Sequence, residues 1–214
     1  MYNISVLILP NLEVVMLDTR VRVIQNPWDH SIPDDQFFKM FEDVATSRAA
    51  HVEKMYADGE GDWPRNSLGL AFLNPAAPLW HPTSETLLAT IAIGPEGERF
   101  IVNAVAKAAY HRDHGVPAGY GVYMDLSMSI DGDFCYGYST QVDGLIAGAS
   151  AQSEIQDACE AGHAAVTLLY FLRSARASWV ESRGAQPHWF CNHDEPLGIY
   201  TSMADKEPIY DSAD

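Results

Sequence analysis

The segment from residue 151 to 180 places the tightest constraint on how this chain can fold. Ser150 offers an N-cap, and Glu154, Asp157 and Glu160 fall in the first turns, where a helix dipole favours acids. The middle of the segment, Val166-Thr-Leu-Leu-Tyr-Phe-Leu172, is apolar nearly all round, which predicts a helix set centrally in the molecule. Ile155, Cys159, Gly162 and Val166 form its apolar stripe at helical spacing. Asp157 and Glu160 lie away from that stripe, with Glu154 at its flank, so these acids are expected to face solvent.

Other elements must pack around such a helix. Ile4–Leu9 and Val14–Ile24 are rich in β-branched and aliphatic residues and read as strands punctuated by Pro10-Asn11. Ser31-Ile-Pro-Asp34 reads as a variant capping box opening a helix over about 34–57. Phe37, Phe38, Phe41, Val44, Ala45, Val52 and Met55 share one face of that helix, and Arg48 inside the stripe is expected to snorkel or pair with an acid. Leu68–Leu73 reads as a short strand and Leu87–Ile93 as a buried one, followed by a helix over about 96–114. A hairpin, 120–130 and 133–140, is expected to turn on Asp131-Gly132. The order is roughly ββα-ββα-ββα-β. It predicts an α/β (α+β) fold in which a mixed or mostly antiparallel sheet is packed by three helices. The 214 residues suit a single domain, residues 1–214, with 185–214 expected as a C-terminal segment wrapping the surface.

Charge narrows the function. The chain has 13 basic and 29 acidic residues, net −16, and residues 113–172 contain eight acids and no Lys or Arg. Phosphate backbones and anionic membrane surfaces are bound largely by Lys and Arg, so this stretch argues against direct nucleic-acid or membrane binding. No apolar run approaches about 18 residues, as a membrane span would require. The N-terminus lacks a basic region and an A-x-A-like site, and Cys135, Cys159 and Cys191 form no disulfide framework. Both facts favour a cytoplasmic, reducing setting.

Candidate site residues fall into three groups. On the expected hairpin, Tyr123, Asp125, Tyr136 and Tyr138 share a face with serines, a combination suited to a ligand or a protein partner. His111 and His114 sit at i, i+3, a spacing that can serve one metal, although the wheel puts both opposite the apolar face beside Lys107. His188, His193 and Asp194 form the densest cluster of coordinating groups and would be the ligands of a divalent metal, if one is bound.

The order of Asp125 on a strand, Glu154 opening a helix and Asp194 near the C-terminus resembles that of the carboxylates in ribonuclease H-like nucleases. The resemblance covers residues 120–200 and implies divalent-metal phosphodiester hydrolysis, with Asp125, Glu154 and Asp194 as catalytic carboxylates. The chain departs from that pattern in lacking Gly-Ser after the strand Asp and in offering no basic residue from 113 to 172 to hold a substrate backbone.

The leading expectation is an acidic, non-catalytic protein with no cofactor that engages a basic protein partner, as an inhibitor or a nucleic-acid mimic. Tyr123, Asp125, Tyr136, Tyr138, Asp157 and Glu160 would form its contact face. The alternatives are a divalent-metal-dependent hydrolase and a small-molecule-binding α/β domain.

Overall fold

A computed structural model of the chain describes residues 17–59, 63–78, 80–117 and 138–183. Two compact units divide the chain, residues 1–175 and 176–214. Within the described part of the second unit, Arg183 lies 4.5 Å over the Trp179 ring.

Among the described residues, three helices pack with a five-stranded antiparallel sheet, an α+β arrangement whose element order roughly follows the β-β-α repetition expected. The elements are β1 (Thr19–Val23), α1 (Asp34–Asp58), β2 (Leu68–Leu73), β3 (Leu87–Ile93), α2 (Gly97–His114), β4 (Ser139–Val142), β5 (Leu145–Ser150) and α3 (Glu154–Ser182). A single 3-10 turn, Thr83–Glu85, precedes β3. Across the sheet the order is β1-β3-β2-β5-β4.

Alternation along the strands separates two faces. Leu68, Leu70 and Phe72 of β2 share a core with Leu145, Ala147 and Ala149 of β5 and with the buried sides of α1 and α3. An aromatic string runs through it: Trp28 to Phe37 at 5.8 Å, Phe37 to Phe41 at 5.2 Å, and Phe41 to Phe72 at 5.4 Å between ring centroids. Burying each such ring contributes roughly 1.5–3 kcal/mol. A bulge refines the pattern. Phe72 pairs with Ala89 but Leu73 pairs with Leu87, so Leu88 is an extra residue in β3 and joins the α1–α3 core beside Ala89. Leu73 and Leu87 turn instead to the opposite face, against Ala108 and Ile146.

That opposite face is built from small residues, and α2 lies close upon it. A Cβ added to Gly148 would sit 2.1 Å from the Ala104 carbonyl oxygen, so glycine is what lets helix and strand approach this far.

Several local expectations are corrected. The capping box does not form: Pro33 precedes α1 without a side-chain cap, and the Ser31 hydroxyl donates to the Trp28 carbonyl at 3.2 Å. A turn at 28–32 has captured the hydroxyl. Ser150 ends β5, and α3 starts at Glu154. Strand β5 has no counterpart in the sequence reading, and the hairpin that is described turns on Asp143-Gly144. Ile4–Leu9, residues 120–130 and most of 133–140 lie outside the described residues.

Helix α3 inverts its expected faces. Ile155, Cys159 and Val166 are exposed, whereas Asp157 and Glu160 are buried beside Ala161, Ala164, Ala165 and Leu168. Nor is its middle apolar and buried all round, since Tyr170 and Val166 face outward. The half-buried Arg48 of α1 and the buried Lys107 of α2 supply the cations its acids need.

Candidate functional site

Helix spacing puts Arg48 and His51 one turn apart on α1, and Glu160 and His163 one turn apart on α3. The two pairs meet. His51 Nδ1 lies 2.8 Å from Glu160 Oε1, and Arg48 Nη1 reaches the same oxygen at 3.4 Å. Glu160 is 0% exposed, so its charge is held out of water and the two α1 side chains are its counter-groups. The carboxylate can only accept from His51, which fixes the proton of the neutral ring on Nδ1 and leaves Nε2 with its lone pair. Trp63 steadies the same imidazole edge-on at 5.3 Å, and the His163 ring stands 6.3 Å away. The expectation that Arg48 is ion-paired thus matches its place beside Glu160.

A cavity of about 430 Å³ adjoins this cluster. Arg48, His51, His163 and Thr167 give it a polar wall, and Val142 and Val166 an apolar one, with Cys159 and Gly162 completing the lining. It opens to solvent beside Cys159 and Val166. No carboxylate is among the described residues that line it. In chemical terms the site offers guanidinium donors, a carboxylate-oriented imidazole and a short hydrocarbon surface.

A second buried ion pair supports the first turns of α3. The Lys107 ammonium of α2 donates to Asp157 Oδ2 at 2.8 Å and to the Ala149 carbonyl at 2.9 Å. That carbonyl lies one residue past the β4–β5 register pair Ser139–Gly148. The Gln152 backbone N–H donates to Asp157 Oδ1 at 2.9 Å. Burial pushes the Asp157 carboxyl above its ordinary range, although Lys107 and the Gln152 N–H pull the other way. The turn between β5 and α3 is fixed in its own right. Ala151 adopts φ 142°, while Arg65 donates to its carbonyl and Gln152 donates to the carbonyls of Arg65 and Ser67.

The candidates read from the sequence are distributed unevenly over this structure. Tyr123, Asp125, Tyr136, His188, His193 and Asp194 lie outside the described residues. Tyr138 is half-buried just before β4 with φ 75°, and Glu154 is half-buried in the first turn of α3. Asp157 and Glu160, expected on a solvent-facing contact surface, are buried and paired. Their cations come from α1 and α2, distant in sequence, which no helical wheel of α3 can reveal. His111 and His114 do not share a metal-binding face either. His111 is buried with Nδ1 2.8 Å from the Ser139 hydroxyl, and His114 is exposed, stacked on Tyr110 at 4.0 Å. Among the described residues, no group of three or more His, Cys, Asp or Glu could hold a metal ion.

Sequence reasoning missed His51 and His163. The available signal was the repeated i, i+3 placement of Arg48/His51 and Glu160/His163 on two helices, complementary in charge. No described helix is long and apolar enough to cross a membrane. The chain matches no family model, and no curated protein or solved structure is significantly similar to it.

Proposed function

We propose that this protein is a small-molecule-binding α+β domain whose site is the cavity between α1 and α3. The observation that carries this reading is the cavity's polar wall. Arg48, His51 and His163 converge on it, with a fully buried carboxylate orienting one imidazole from behind. Pockets that bind small ligands combine an apolar surface with a few placed polar groups, and about 430 Å³ falls within their usual range. An acidic docking face for a basic protein is the weaker reading, because the burial of Asp157 and Glu160 withdraws two of its carboxylates.

Ligand-observed NMR with a library of small polar fragments tests the proposal on the full chain and on Val166→Trp. Val166 is 54% exposed, so a larger side chain there should fill the cavity mouth without disturbing the core. Fragments that bind the parent and are lost in the variant support the site. The reading falls if no fragment binds, or if the variant binds the same fragments equally well.

A further inference from the structure

Resting on that reading, we infer that the ligand of this cavity is a small organic monocarboxylate with a short hydrocarbon body. The donors that reach the lining set its charge. Among the described residues, Glu160 is the acid in contact with them, and it presents no surface to a ligand. Its Oε1 is shared by Arg48 and His51. Arg48 spends little of its donor capacity there, with Nη1 at 3.4 Å from Glu160 and Nη2 at 3.2 Å from the Ser47 hydroxyl. A planar guanidinium carries five N–H groups in a fork matched to a carboxylate, so the guanidinium keeps donors to give. An ammonium ligand would find no carboxylate among the described lining residues and would lie against the charge of Arg48. A neutral amide would satisfy the donors but leave the charge of Arg48 without a second partner.

The imidazole completes the match. With Nδ1 committed to Glu160, Nε2 is the atom left for a ligand, and in the neutral ring it only accepts. A second proton at Nε2 would turn that atom into a donor for a carboxylate. The groups facing His51 accommodate this change: Arg48 on its own helix, and Glu160 and His163 on α3. One buried carboxylate then stands between two cations, and the surplus positive charge is what the ligand neutralises. Val142 and Val166 cover the hydrocarbon part.

Calorimetric titration of the full chain with butyrate, butylamine and butyramide tests this. Butyrate is expected to bind at least about tenfold more tightly than either isostere, because only the carboxylate pairs with the Arg48 guanidinium. His163→Gln, at an exposed position, should weaken butyrate without unfolding the protein, and Val166→Trp should abolish its binding. Binding of butylamine or butyramide as tight as butyrate, and lost in Val166→Trp, would overturn the ligand class while leaving the cavity a binding site. Butyrate binding that is indifferent to Val166→Trp, or absent altogether, overturns the inference. The fragment screen then decides separately whether the site binds anything.

Discussion

Removing the Lys107 ammonium would leave Asp157 buried with only backbone N–H groups of the 151–152 turn as partners. Lys107→Met is therefore expected to cost about 3–5 kcal/mol, the usual penalty for an orphaned buried charge. The double variant Lys107→Met/Asp157→Leu should recover much of that loss, because two well-packed apolar side chains replace the pair. Urea unfolding of both variants measures this, and a single-variant loss below about 1 kcal/mol would contradict the account. His111 governs a different property. Burial lowers its pKa below the ordinary imidazole value, so the folded protein binds the proton less readily than the unfolded chain. Stability should then fall as pH drops through about 6.5 and continue to fall until the folded pKa is passed. His111→Gln should flatten that part of the curve when unfolding free energies are compared near pH 7.5 and pH 5.5. A variant whose stability follows pH as steeply as the parent would remove His111 from this role.

The elements differ in how plainly the sequence announces them. Strands β2 and β3 carry branched and large apolar residues between turn signals, and the bounds read from the sequence agree with the structure residue for residue. Helix α1 shows its aromatic stripe at helical spacing and runs as expected to within a residue. Strand β5, Leu-Ile-Ala-Gly-Ala-Ser, hides because its small residues carry little strand preference. They are required by the close approach of α2, which is a tertiary fact. The site was hidden for a related reason. Glu160 finds Arg48 across 112 positions and Asp157 finds Lys107 across 50, so the burial of both acids depends on partners no local pattern contains. The β4–β5 turn can be tested directly. Asp143 has φ 46° and Gly144 φ 86°, the paired positive values of a tight hairpin turn. An alanine at 144 would be held where L-residues are strained, and its Cβ would meet Pro75 at 3.4 Å. Gly144→Ala is expected to lower stability by about 1–2 kcal/mol, read as a reduced melting temperature. An unchanged melting temperature would argue against this turn.

The charge of the whole molecule takes on a different meaning once its buried pairs are placed. Residues 113–172 contain no Lys or Arg, yet two of their acids, Asp157 and Glu160, are neutralised by Lys107 and Arg48 from the preceding part of the chain. The two stretches also divide the sheet. One supplies the β2–β3 pair, the other the β4–β5 pair, and the β2–β5 register joins them along a single seam. A polypeptide opened between Pro117 and Tyr138 would therefore yield two pieces, each with a whole hairpin and each with one member of both buried ion pairs. Separately, each piece would expose an unpaired strand edge and leave its members of both ion pairs without partners.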